Sequence, residues 1–230
     1  MTGKPTIRAV KACVFDAYGT LFDVAAAARR CADDLGDKSG SLAEVWRTKQ
    51  LQYTWLRSLM GEYADFWKLT GDALDYALKA TGVRAEPALR RKLMDLYRDL
   101  DAYADAAACL RALKTAGLKT AILSNGSPAM LRAAANSAGL GPLLDHILSV
   151  HPLKIFKPDP RVYRLVTKTF RLKPSGICFV SSNGWDAWAG AHFGMRVVWI
   201  NRAGAPPENL PGRIAAEVRT LSDVPRLLGL

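Results

Sequence analysis

Short apolar runs alternate with amphipathic stretches along much of this chain. Residues 8–15 form one such run, interrupted by Lys11 and ending in the polar turn Asp16-Ala17-Tyr18-Gly19-Thr20. A brief run without strict alternation fits a strand buried on both faces of a parallel sheet. Residues 119–123, 176–180 and 196–200 repeat the theme, ending in Ser124-Asn125-Gly126, Ser181-Ser182-Asn183-Gly184 and Asn201. A helical pattern precedes each. Strands alternating with helices predict an α/β fold with a doubly wound, Rossmann-like parallel sheet.

Residues 25–100 depart from that rhythm, with three or four helical patterns and no convincing strand. This predicts a helical cap domain inserted after the first strand, with residues 1–24 and 101–230 forming the α/β core domain. Over residues 42–60 two apolar stripes share one helix: Val45, Trp46, Tyr53, Leu56 and Met60 on one side, Leu51, Trp55 and Leu59 on another. One stripe can pack within the cap. The second calls for the core domain or a second subunit.

Composition narrows the class. With 230 residues, half of them hydrophobic, the chain can bury a substantial core. It shows neither a run of about eighteen apolar residues nor a secretory signal pattern at its start, so a cytoplasmic protein without a membrane partner is expected. Cys13, Cys31, Cys109 and Cys178 lack metal or redox spacing and read as free thiols. His146, His151 and His192 match neither a zinc motif nor a triad. The net charge of +11 is spread along the chain without aromatic interleaving. It fits a basic surface that draws in a small anionic substrate, with no nucleic acid partner.

In open parallel sheets, ligands bind beyond the carboxyl ends of the strands. Asp16 and Thr20 follow the first strand, Ser124 and Asn125 the next, and Ser181, Asn183 and Asp186 a third. Lys157 sits in Phe156-Lys157-Pro158-Asp159-Pro160, where Pro158 disfavours helical backbone at the lysine and Asp159-Pro160 opens a helix. Each Ser, Asn or Asp alone would be an ordinary turn residue. Together they bring a carboxylate, hydroxyls, an amide and an ammonium to one end of the sheet.

The segments FDAYGTLFDV, QYTWLRSLM, LSNGSP, Lys157 to Tyr163 and FVSSNGWDA resemble the haloacid dehalogenase superfamily, and within it the (S)-2-haloacid dehalogenases, from about residue 10 to residue 202. The resemblance implies an enzyme that hydrolyses short 2-haloalkanoates. Superfamily phosphatases carry a second Asp two residues after the nucleophile, where this chain has Tyr18, and a later acidic cluster for Mg²⁺, where it reads Ser181-Ser182-Asn183. A site without metal or cofactor is expected, with Lys157 as the fixed cation that holds Asp16 ionised. Asp16 would displace halide through an ester that water cleaves. Ser124 and backbone amides near Ala17, Tyr18 and Asn125 would anchor the substrate carboxylate.

By the same resemblance, Arg47 with Asn125 and Phe66 would receive the halide, with Leu51 one turn along Arg47's helical edge. Thr20, Tyr163, Ser181, Asn183 and Asp186 form the supporting shell: Asp186 pairs with Lys157, and Asn183 or Ser181 places the hydrolytic water. Tyr18 and Trp185 shape the apolar wall. Thr48 and Pro160 depart from the family pattern, which has Gln and Asn there. A homodimer through the cap is also implied. The rival readings are a Mg²⁺-dependent phosphatase and a basic nucleic-acid-binding protein on an inactive enzyme fold.

Overall fold

The computed structural model describes residues 7–24 and 32–230. Among these, six strands make one all-parallel sheet in the order β3-β2-β1-β4-β5-β6. They are β1 (Ala12–Phe15), β2 (Lys119–Ser124), β3 (His146–Ser149), β4 (Ile177–Ser181), β5 (Arg196–Ile200) and β6 (Ala216–Val218). β1 is buried along its whole length and pairs on both edges, Phe15 standing opposite Ile122 on β2 and Val180 on β4. The chain winds outward from β1 through β2 to β3, then returns to β4 on the other side. That reversal lies between β1 and β4, the place where such sheets open a ligand crevice.

Among the described residues five α-helices separate β1 from β2, the first four being α1 (Ala32–Leu35), α2 (Ser39–Met60), α3 (Phe66–Thr81) and α4 (Pro87–Asp95). Asp65 caps α3, its side chain accepting from Lys68 N at 2.8 Å. Phe66, Leu69, Ala73, Leu74, Ala77 and Leu78 recur at helical spacing and are buried, so α3 presents one apolar face to its neighbours. Arg90 of α4 ties to Asp75 of α3 through two hydrogen bonds of 2.6 and 2.9 Å. The fifth, α5 (Ala106–Thr115), leads into β2, and α6 (Pro128–Ser137), α7 (Pro160–Phe170), α8 (Gly184–His192) and α9 (Asp223–Leu227) follow or link the later strands. Asp159 caps α7 by accepting from Arg161 N at 2.8 Å, as the Asp-Pro start predicts.

Two sequence expectations need correction, and two strands go unread in the sequence. The first strand begins at Ala12 instead of residue 8, after Ala9 adopts a φ of 58°. β3 and β6 lie at the two edges of the sheet and are short and only partly buried, so they lack the apolar run that betrays central strands. On α2 the buried face is Leu42, Trp46, Gln50 and Thr54, an i,i+4 row, while Leu56, Leu59 and Met60 are exposed. The apolar stripes miss this row because two of its members are polar. Cys13, Cys109 and Cys178 are buried free thiols; Cys31 lies outside the described residues.

Candidate active site

The end of β1 sets the first reacting group. Asp16 N donates to Val180 O at 2.9 Å, extending the pairing of β1 with β4 by one residue before the chain turns. Ala17 O then accepts from Thr20, Leu21 and Phe22. Gly19 makes this turn with φ of 84°, in the region that disfavours side chains, and a Cβ there would stand 3.2 Å from Ser182 Oγ. The turn folds Thr20 back so that its Oγ1 accepts from Ser182 N at 2.9 Å. The Thr20 hydroxyl lies 3.2 Å from Asp16 Oδ2 and 3.1 Å from Ser182 Oγ.

Lys157 enters from the loop before α7, where its bond to Pro158 is cis. Its backbone N donates to Asn125 Oδ1 at 3.0 Å, and its side chain is 1% exposed. Nζ donates to Asp16 Oδ1 at 2.9 Å and to Asp186 Oδ2 at 2.7 Å. Burial alone would lower the pKa of this ammonium. The charges of Asp16 and Asp186, and the hydrogen bonds to both, override burial and hold it above the ordinary lysine value. Asp186 is fully buried and also accepts from Tyr163 Oη at 2.7 Å and Ser181 Oγ at 3.0 Å. Burial pushes its carboxyl upward; Lys157 opposes this and Asp16 adds to it, leaving Asp186 above the usual carboxylate range. Burial, then the charge of Asp186, push the Tyr163 phenol well up, so it serves as a donor.

Asn183 holds the N-cap position of α8, yet its side chain makes no cap hydrogen bond. Its Nδ2 donates instead to Asp16 Oδ2 at 2.8 Å, and its Oδ1 accepts from Arg47 Nη2 at 3.1 Å. Arg47 thus reaches from α2 to the end of the sheet, while its Nη1 donates to Gln50 Oε1 at 2.8 Å. Tyr18 stacks on Phe66 with ring centroids 6.0 Å apart and lies 5.7 Å from the Tyr97 ring. Burial raises the Tyr18 phenol far above its usual value, and its hydroxyl has no hydrogen-bond partner among the described residues. An acid this weak is a poor proton donor.

Asp16, Thr20, Arg47, Asn125, Lys157, Tyr163, Ser181, Asn183 and Asp186 therefore stand in one connected network of hydrogen bonds. Ser124 sits beside Asn125, its Oγ accepting from Gly126 N at 3.1 Å, and Ala17 and Phe66 are buried close by in the chain or the stack. Trp185 meets Trp55 edge to face at 5.5 Å and, with Lys157 and Tyr163, lines a groove of about 1050 Å³ that runs out past Leu59 and Leu210. Leu51 is half-buried on α2, outside the hydrogen-bonded network. Ser181 gives its proton to Asp186, which leaves Asn183 as the amide in contact with Asp16.

Sequence reasoning misses Gln50, Thr70 and Ser182. Gln50 has a usable signal, a polar residue four positions after Trp46 and three after Arg47 on a helix otherwise read by its apolar side chains. Thr48, which departs from the family pattern, is exposed.

Residues 10–194 match the model of the haloacid dehalogenase-like hydrolases. The chain is 47% identical over 219 residues to (S)-2-haloacid dehalogenase 1 of Pseudomonas sp. (strain CBS-3), covering 95% of this chain and 96% of that one. A crystal structure of a dehalogenase with an intermediate complex superposes with a TM-score of 0.95 at 45% identity, covering 97% and 99% of the two chains. The L-2-haloacid dehalogenase of Xanthobacter autotrophicus with chloropropionic acid covalently bound gives a TM-score of 0.87 at 38% identity, covering 95% and 98%.

Proposed function

The chain belongs to the haloacid dehalogenase-like hydrolases and, among them, to the (S)-2-haloacid dehalogenases, and from that premise we propose that it converts short (S)-2-haloalkanoic acids to (R)-2-hydroxy acids with Asp16 as nucleophile. The observation that carries this reading is the buried ammonium of Lys157, hydrogen-bonded to Asp16 on one side and Asp186 on the other.

A carboxylate oxygen of Asp16 attacks the carbon bearing the halogen. The carbon–halogen bond breaks as the new carbon–oxygen bond forms, configuration inverts, and halide leaves with the bonding electrons. Holding carboxylate and carbon in line removes the entropy of encounter, an effect of roughly 7–11 kcal/mol. Lys157 supplies the positive charge that a phosphatase of this superfamily takes from a divalent ion, so the proposed reaction is metal-independent and needs no cofactor. Asp186 is a positioning residue that keeps Lys157 in place through the contacts described above. Ser124 with the amides near Ala17, Tyr18 and Asn125 holds the substrate carboxylate. Arg47 receives the halide with Asn125, whose Oδ1 is engaged by Lys157 N and whose Nδ2 is the donor that remains. Phe66, Tyr18, Leu51 and Trp185 form the apolar wall. Water, placed by Asn183, then cleaves the ester at the Asp16 carboxyl carbon and regenerates the acid.

Residues 25–100 act in this reading as a cap over the core formed by 1–24 and 101–230. We also infer a cytoplasmic homodimer without nucleic acid partners. No helix among the described residues is long and apolar enough to cross a membrane, and exposed Leu56, Leu59 and Met60 offer an apolar patch for a second subunit.

The test compares halide release from (S)-2-chloropropionate with phosphate release from a generic phosphate ester, each with and without Mg²⁺. Halide release indifferent to chelator is expected, and metal-dependent phosphate release alone would defeat the reading. Light scattering tests the dimer, and a salt-sensitive gel shift with DNA would contradict the exclusion of nucleic acid.

A further inference from the structure

A glutamine with no exposed surface needs an explanation, because a buried amide is costly unless its donors and acceptor find partners. Gln50 is such a residue. Its Nε2 donates to Thr70 Oγ1 at 2.8 Å and its Oε1 accepts from Arg47 Nη1 at 2.8 Å. Thr70 is buried as well, and its hydroxyl donates to Phe66 O, one turn back on α3, at 2.7 Å.

These bonds have a direction. The single proton of Thr70 goes to a backbone carbonyl, which can only accept. Toward Gln50, Thr70 Oγ1 can therefore only accept, so the amide must present its NH₂ to Thr70 and its oxygen to Arg47. The reverse orientation would set NH₂ against a guanidinium, donor against donor. Thr70 itself is anchored twice, because its carbonyl accepts from Trp46 Nε1 at 2.8 Å. α3 thus fixes an amide on α2, and that amide fixes one arm of the arginine. The other arm points at Asn183, which holds Asp16.

We propose that Gln50 is a positioning residue for the leaving group, oriented by Thr70. Together they hold the plane of the Arg47 guanidinium so that its remaining N–H groups face the departing halide. The inference rests on the reading of Arg47 as the halide-receiving residue. A planar fork with two opposite arms engaged has little freedom to rotate. Arg47 is only half-buried, so without Gln50 its Nη1 can turn toward water. A neutral amide also suits this role, since a glutamate at the same position would cancel the positive charge meant for the halide.

The test uses the full-length enzyme with Gln50→Met, Gln50→Glu, Thr70→Val and Thr70→Ser, beside Arg47→Lys. Single-turnover rates are measured with (S)-2-chloropropionate and (S)-2-bromopropionate, together with product inhibition by bromide. Chloride, the poorer leaving group, depends more on stabilisation of developing charge. Gln50→Met and Thr70→Val are expected to lower the chloride-to-bromide rate ratio about 5- to 10-fold and to weaken bromide inhibition in parallel. Gln50→Glu should weaken it most, and Thr70→Ser, which keeps the hydroxyl, should restore both readouts toward wild type. A residue that merely tied α2 to α3 would lower the melting temperature and leave ratio and inhibition unmoved. Thr70→Val carries the same test should Gln50→Met fail to fold. Unchanged ratio and inhibition in both, with Arg47→Lys altering them, would overturn the role of Gln50 alone. Arg47→Lys without effect on either would overturn the underlying reading of Arg47.

Discussion

Asn183 Nδ2 lies 2.8 Å from Asp16 Oδ2, although Asn183 occupies the position at the start of α8 where an asparagine side chain ordinarily bonds to the helix. The helix therefore begins without that assistance, and the amide connects Asp16 to Arg47 instead. Asn183→Ser should cut kcat by about 100-fold, the usual scale for losing one well-placed donor. The start of α8 should lose little, because the cap bond that is commonly worth ~1 kcal/mol is not made. Steady-state kinetics beside thermal melts check both halves; a large stability loss with normal kcat would contradict the assignment.

Asp16→Asn removes the negative charge while keeping the shape, and should abolish halide release with the fold retained. In a single turnover of wild-type enzyme in ¹⁸O water, with enzyme in excess, the label should enter Asp16 first. Label found wholly in the hydroxy acid would mean that water attacks the substrate directly.

Lys157→Met should reduce turnover by about a thousandfold and destabilise the protein by ~3–5 kcal/mol, since it strands two buried carboxylates. The wild-type lysine has a folded value raised above its ordinary 10.5. Its contribution is accordingly complete at pH below 10.5 and is lost as pH rises through the folded value. Denaturant unfolding at about pH 8 and about pH 11 should show this alkaline loss in wild type and not in the variant.

Asp105 supplies a stability test away from the site. It accepts from both arms of Arg202 at 3.2 Å, from Thr220 Oγ1 at 2.7 Å and from Leu221 N at 2.8 Å. Burial would push its carboxyl up, but these donors outweigh it and hold the group below the usual range. Its stabilisation is present above the ordinary Asp value, about 4, and is lost as pH falls through the lowered one. Asp105→Asn should cost ~1–3 kcal/mol at about pH 7. The gap from wild type should narrow in urea melts toward about pH 3; a gap independent of pH would refute the charge as its source.

Gly190→Ala tests how closely α8 lies on the sheet. A Cβ there would stand 2.6 Å from Phe179 Cδ1. Overpacking of this kind costs ~1–3 kcal/mol, which should appear in melts despite the better helix propensity of alanine.

What the amino-acid pattern reveals best lies deep in the sheet. β1, β2, β4 and β5 are buried strands whose apolar runs leave little room for another reading, and the polar residues just beyond them stand at the ends the topology brings together. The edge strands β3 and β6 are illegible because burial, the source of the signal, fades at a sheet edge. Gln50 and Thr70 escape notice for a different reason. Their polar side chains sit on buried helix faces, and apolar periodicity cannot register a residue kept there by hydrogen bonds. Tyr18 reads from sequence as a wall residue, but that its hydroxyl is left without a partner among the described residues depends on packing with Phe66, Tyr97 and Gly126 that no spacing encodes.

Because β1 is paired on both edges and wholly buried, its amides at Cys13 and Val14 should exchange with deuterium only when the entire molecule opens. α2 and α3, outside the sheet, can open at smaller free-energy cost. Fluctuations that admit reactant or release product can therefore occur around Asp16 without loosening the strand that carries it.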